Sequence, residues 1–293
     1  MSHRFQLLPE YLRKLSRREG KKSMKIEYQK IQRILRDAGL LTAIEKLRYF
    51  VSVARYYRNN KKFITANPGF KLPPEDLAYD AYSAPDWNFY KNSGENTASF
   101  LFSTAKKYLP DVTAYNVLEW GCGPARVIRH LQQAFGPEAR VFGSDYNKDT
   151  IAWCAESILG CKFVLNSLHP PLPFDSDFFE FIYSISVFTH LSETVSQQWI
   201  AELFRITKPG GVLVISTNGD SRLDVMLPDE VEHYQKFGFV VRDKVEEGKK
   251  MFVAFHSSQY LRDKLFAQFE VLEYVSLGFP FAGQDLWILR KPM

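Results

Sequence analysis

Cysteine is scarce and scattered. The chain has three in 293 residues, Cys122, Cys154 and Cys161, with no CxxC spacing. That pattern argues against a disulfide framework and a zinc site, and it fits a reducing cytoplasm. Long apolar runs are missing too: none approaches the roughly 18 residues needed to span a bilayer. The opening MSHRFQLLPEYLRK lacks the charged, apolar, small-residue order of a secretory leader. Acid is thin at the start. Residues 1–62 hold 17 Lys or Arg against 5 Asp or Glu, and the remainder holds 21 against 28. The net charge of +5 therefore hides a basic N-terminal region and a mildly acidic rest.

Apolar residues are plentiful: 45% are hydrophobic and 15% aromatic. That is enough for one large domain, or one domain plus an extension. Residues 5–62 read as helices. Ile26, Ile31, Ile34 and Leu35, then Leu40, Leu41, Ile44, Leu47 and Val51, follow a 3.6-residue period with Lys and Arg between them. The proline-rich NPGFKLPPED at 67–76 reads as an extended connector. A helix is expected from near Ser93 or Asn96 to Leu109, stopped by Pro110.

Strands and helices then alternate. Strands are expected at 115–120, 140–145, 161–166, 179–184 and 211–217, with helices at 124–135, 147–158 and 192–207. Apolar strands separated by helices imply a parallel sheet covered on both faces. Residues 239–256 read as a hairpin around Glu247-Gly248, followed by a short helix at 258–267. The chain closes with FEVLEYVSL and DLWILRK, a pair most simply antiparallel.

The stretch VLEWGCGPARV carries the chemistry. Gly121 and Gly123 can take backbone angles closed to other residues and allow a ligand close approach. Pro124 suits the first position of a helix. Glu119 sits at the strand tip. A dinucleotide loop wants a third glycine at position 126, where this chain has Arg126, and it binds a pyrophosphate at the helix end. An acid at the mouth would repel a pyrophosphate and suits a cationic, amine-bearing ligand. Asp145, 22 residues after Gly123, ends the next strand, where such an acid bonds both ribose hydroxyls. Tyr146 would lie against the base. Asn166 ends the third strand with an amide that can donate and accept, as adenine recognition requires.

These residues, with ELFRITKPGGVLVIST and the terminal antiparallel pair, resemble the class I S-adenosylmethionine-dependent methyltransferases. The resemblance runs from about Tyr90 to Arg290, roughly two-thirds of the chain. It implies a Rossmann-like α/β fold: a seven-stranded, mostly parallel sheet with an antiparallel last strand and helices on both faces. The helical N-terminal extension, residues 1–75, precedes the domain at 76–293, with a substrate-side insertion at 219–256. It implies S-adenosylmethionine as cofactor. Glu119, Gly121 and Gly123 would hold the amino-acid end, Asp145 the ribose, and Tyr146 and Asn166 the adenine region. Ser184 and Ser186 after strand four fall where the family holds the methionine end, and Tyr90 where it closes over the ligand. Ala125 stands where the family often has a third glycine, and Asn166 where many members carry an acid.

His190, in SVFTHL, sits where many relatives place a histidine near the transferring methyl. A neutral imidazole there can take a proton from an acceptor hydroxyl. His256, at the end of the hairpin, is a second candidate facing the acceptor; Gln284-Asp285 either lines the substrate side or fixes the terminal hairpin. PPLPFDSDFFEFIYSISVFTHL resembles members acting on small molecules and on glycan or lipid-linked acceptors. HPPLPF follows strand three rather than strand four, which disfavours a DNA-base substrate. The basic helices suit a solvated cap, or contact with an anionic membrane from the cytoplasmic side or with an acidic partner, with nucleic-acid phosphates a further option. Two rivals stay open here: a nicotinamide-dependent dehydrogenase, which predicts continued parallel strands, and a non-catalytic docking protein with a methyltransferase-like fold.

Overall fold

The computed structural model describes residues 24–293; the part of the helical reading on residues 5–23 lies outside them. The central strands are mostly apolar, and their alternate side chains feed two cores. Leu118, Ile182 and Leu213 point to one face, where they meet Trp199 and Leu203. Val117, Phe181 and Val212 point to the other, against Leu101, Leu131 and Ile151. Both faces are covered, as continuous apolar strands require.

The strands are β1 (Asn116–Trp120), β2 (Arg140–Asp145), β3 (Cys161–Leu165), β4 (Phe179–Ser184), β5 (Thr207–Thr217), β6 (Phe239–Arg242), β7 (Val253–His256), β8 (Glu270–Phe279) and β9 (Gln284–Arg290). Seven of them form one sheet in the order β3-β2-β1-β4-β5-β9-β8. The β1–β2, β1–β4, β2–β3 and β4–β5 pairs are parallel. β9 runs antiparallel between β5 and β8. This is the expected seven-stranded fold, and the antiparallel β9 departs from the continued parallel strands of a dehydrogenase. The strand order reverses between β1 and β4, which leaves a crevice at their carboxyl ends.

The helices are α1 (24–37), α2 (Leu41–Ala66), α3 (Glu75–Tyr82), α4 (Trp87–Tyr108), α5 (Leu131–Phe135), α6 (Lys148–Ser157), α7 (Glu193–Ile206) and α8 (Pro228–Phe237). α4 starts well before the expected Ser93. Asp86 caps it by accepting the Phe89 N–H at 3.1 Å. The expected helix at 124–135 is also shorter. Ala125 takes a left-handed φ of 56°, so the chain turns through Val127 and reaches α5 only after one 3₁₀ turn at Ile128–His130. Pro124 is therefore not a first helical residue.

β6 and β7 form a separate two-stranded sheet, joined by residues 243–252. α1 lies on the 219–256 region through oppositely charged pairs. Arg33 meets Asp229 at 2.9 Å and Glu230 at 3.2 Å, Lys244 meets Asp37 at 3.0 Å, and Lys25 meets Asp224. α2 is pinned to the start of α4 by buried Asn60, whose amide donates to the Pro85 carbonyl and accepts from the Trp87 N–H.

Candidate functional site

A cavity of about 430 Å³ opens where β1, β2, β3 and β4 end. The loop after β1 forms its floor. Gly121 and Cys122 both donate their N–H groups to the Ser144 carbonyl, at 2.8 and 2.9 Å. Gly121 has φ 79°, and a Cβ there would stand 2.2 Å from Val187 Cγ2, so only glycine fits. Asp145 ties this loop to the end of β2. Its Oδ2 accepts from the Gly123 N–H at 2.9 Å and its Oδ1 from the Asn147 N–H at 2.8 Å. Burial raises the Asp145 carboxyl above its ordinary range, against those backbone donors.

Glu119 lines the same cavity and is 3% exposed. Its Oε2 accepts the Ile128 N–H at 3.0 Å. Burial pushes its carboxyl up to about 8, opposed by the neighbouring Tyr183 hydroxyl and Arg126. Tyr146 also lines the cavity, and its hydroxyl donates to the Gly248 carbonyl at 3.0 Å. The Asn166 amide nitrogen donates to the Ser167 carbonyl, while its Oδ1 is buried with no partner among the described residues. Ser186 has φ 64°; its hydroxyl donates to Gln284 Oε1 at 2.9 Å.

His190 lies on the cavity wall. Its Nδ1 is 2.6 Å from the Phe252 carbonyl, which can only accept, so Nδ1 carries the proton and Nε2 keeps a lone pair. Burial lowers its pKa below the ordinary imidazole value, partly offset by that carbonyl. The ring is therefore neutral at pH 7. Gly248 and Lys250, from the β6–β7 connection, close this side of the cavity. The Gly248 N–H donates to the His190 carbonyl, and Lys250 reaches Glu45 of α2 at 3.1 Å.

The structure thus brings Glu119, Gly121, Gly123, Asp145, Tyr146, Asn166, Ser186 and His190 around one cavity. Three expected residues stand elsewhere. Tyr90 is buried in α4 and donates to the Pro124 carbonyl at 2.6 Å, bracing the loop from behind. Ser184 is buried within β4. His256 corrects an expectation outright: it is fully buried against Phe239 and Tyr260, and burial pushes its pKa down to about 3. It does not line the cavity. Gln284 and Asp285 are not among the residues lining the cavity: Asp285 accepts from Ser221 and from the Leu277 N–H, and Gln284 Oε1 accepts from Ser186 and Ser216.

The sequence reading missed Asp80 and Tyr82 of α3, Phe89 of α4, Arg126, and Lys250, all of which line the cavity. Arg126 was visible only as an absent glycine. The aromatic run YDAYSAPDWNFY, just before the domain's first helix, was the available signal for the α3–α4 wall.

Residues 117–211 match the family described as a methyltransferase domain. Among solved structures, the chain is similar to a Burkholderia thailandensis 1,6-didemethyltoxoflavin-N1-methyltransferase with bound 1,6-didemethyltoxoflavin and S-adenosylhomocysteine. Identity is 13%, covering 74% of this chain and 86% of that one, with a TM-score of 0.51. It is also similar to Streptomyces venezuelae DesVI, at 15% identity, covering 76% of this chain and 100% of that one, with a TM-score of 0.52. These likenesses are at the level of the fold. The family match falls on the strands and the glycine loop that build the cavity. Residues 117–211 therefore carry a methyltransferase domain, set within the seven-stranded fold that the chain shares with these solved structures.

Proposed function

We propose that the protein methylates an oxygen of a small-molecule, glycan or lipid-linked acceptor, with His190 as the base. The observation that carries this reading is the state of His190. Its Nδ1 is committed to the Phe252 carbonyl, and the ring lines the cofactor cavity. A neutral imidazole so oriented accepts a proton from an acceptor hydroxyl at Nε2. A free amine would need no such base. The Burkholderia neighbour, whose bound substrate is the small molecule 1,6-didemethyltoxoflavin, is in keeping with a small acceptor.

The wall fits the cofactor. When bound, S-adenosylmethionine supplies a methyl group on a sulfonium, already a good leaving group. The residues' part is to bind, align and exclude water. Glu119 takes the ammonium end, beside the close approach that Gly121 and Gly123 allow. Asp145, with both oxygens fixed by backbone donors, keeps lone pairs for the ribose hydroxyls. The orphan Oδ1 of Asn166 suits the adenine amino group, and Tyr146 flanks the ring. Ser186 lies at the methionine end. Tyr90 and Ser184 serve the loop and strand rather than the ligand. In the same reading residues 76–293 are the catalytic domain, residues 1–75 its helical extension, and 219–256 the insertion that roofs the acceptor side.

The proposal includes a membrane contact. The outward face of α2 shows Leu47, Phe50, Val51, Tyr57 and Ile64, each more than half exposed. Between Lys46 and Pro74 the chain has seven Lys or Arg and no Asp or Glu. An apolar stripe in a purely basic surround suits an anionic bilayer.

The test is transfer of label from S-adenosylmethionine to components of a cell extract, with identification of the labelled product. His190→Asn should bind cofactor normally and slow transfer about 10²- to 10⁴-fold. Transfer at the wild-type rate would remove the base role.

A further inference from the structure

We propose that Arg126 is the receptor for the cofactor's α-carboxylate, so that Glu119 and Arg126 together recognise a zwitterion. The proposal rests on the cofactor placement above. Arg126 is 7% exposed and lines the cavity. Its Nη1 donates to Ser93 Oγ at 2.9 Å, and its Nε is buried with no partner among the described residues. The rings of Tyr82 and Phe89 lie 5.2 and 5.9 Å from the guanidinium carbon. No carboxylate of the described residues pairs with it.

A guanidinium offers five N–H donors in a fixed fork and cannot shed its proton. Burying that charge with one neutral hydrogen bond is costly. Arg126 interacts with the Glu119 carboxyl, which burial holds mostly protonated. Glu119, however, already gives Oε2 to the Ile128 N–H. A ligand that brings a carboxylate to the fork and an ammonium to Glu119 satisfies both at once. The two residues flank the glycine loop, one at the end of β1 and one four residues before α5's 3₁₀ lead-in ends, so the ligand's amino-acid end would lie across Gly121–Gly123. The fork is held from behind. Ser93 orients Nη1, and Gly94 of α4 lets the helix lie against the Arg126 carbonyl, which a Cβ there would meet at 2.0 Å.

This makes Arg126 a specificity residue: it distinguishes cofactors with the carboxylate from those without. A loop-bracing role through Ser93 makes no such distinction. Calorimetry on the full chain separates the two, using S-adenosylmethionine and decarboxylated S-adenosylmethionine, which keeps the amine and the sulfonium. The wild type should prefer the carboxylated form by about 10- to 100-fold, the range of a charge-assisted hydrogen bond. Arg126→Gln should abolish that preference and leave affinity for the decarboxylated form unchanged; Arg126→Lys should restore part of it. Equal affinity of the wild type for both ligands overturns the assignment and needs no variant. So does a parallel loss of both in Arg126→Gln, which would mean that the side chain only braces the loop. A wild type that binds neither ligand would instead overturn the cofactor placement itself.

Discussion

At Glu119 the fold holds a carboxyl against its ordinary preference. Burial raises it to about 8 from the usual value near 4.5. In the unfolded chain it ionises above about pH 4.5, while in the folded protein it stays protonated to about pH 8. The folded state therefore holds the extra proton in this window, and its advantage is lost as pH rises from 4.5 to 8. The ligand-free protein should lose thermal stability across that range relative to Glu119→Gln, with the two converging near pH 4.5. His190 and His256, whose values are lowered, act in the opposite direction below their unfolded value, but they are common to both proteins. Melting curves of both at pH 5, 6, 7 and 8 check this; parallel curves would contradict it. An ammonium beside Glu119 favours the charged form, so cofactor binding should release a proton.

The same scale shows what a sequence can carry. Glu119, Gly121, Gly123 and Asp145 were legible because strand tips and glycine turns fix their positions locally. Tyr90 and His256 were not, because their burial is set by Pro124 and by Phe239, distant in the chain. Arg126 was legible as a residue but was read against a glycine template, which concealed its charge.

Among the elements, α4 does more than cover the sheet. Tyr90, Ser93 and Gly94 occupy one stretch of the helix, and all three address residues 124–126. Helix and loop therefore form one unit. Gly94→Ala raises helix propensity, yet its Cβ would meet the Arg126 carbonyl at 2.0 Å. The clash should prevail, because the obstacle is backbone rather than the end of a flexible side chain. Overpacking of this kind costs about 1–3 kcal/mol, measurable by urea denaturation, and cofactor affinity should fall with it. A neutral or stabilised variant would show that α4 is free to shift. The strands were readable because runs such as Val212–Ile215 are apolar throughout. The start of α5 was not, because a left-handed Ala125 is invisible in a pattern of apolar positions. The start of α4 was missed for another reason: Ser93 and Asn96 are good caps by residue type, but Asp86 holds that place.

For the whole molecule, the charge split has a structural counterpart. The basic α1 lies on the acidic side chains of the insertion, while the outer stripe of α2 keeps its Leu, Phe and Val exposed. The full chain should co-sediment with vesicles containing phosphatidylglycerol and not with phosphatidylcholine alone, and added salt should weaken the binding. Leu47→Glu with Phe50→Glu should reduce binding about tenfold or more while leaving the fold intact, since both residues are exposed. Binding indifferent to lipid charge, or untouched by the double variant, would dismiss the membrane contact.

The connection between β6 and β7 touches the cavity with Gly248 and Lys250. It is held on its far side by Lys250–Glu45 and Lys244–Asp37, both reaching the α1–α2 pair. Two helices that line no part of the cavity thus fix the position of a segment that does, so the shape of that wall depends on α1 and α2 as well as on the sheet.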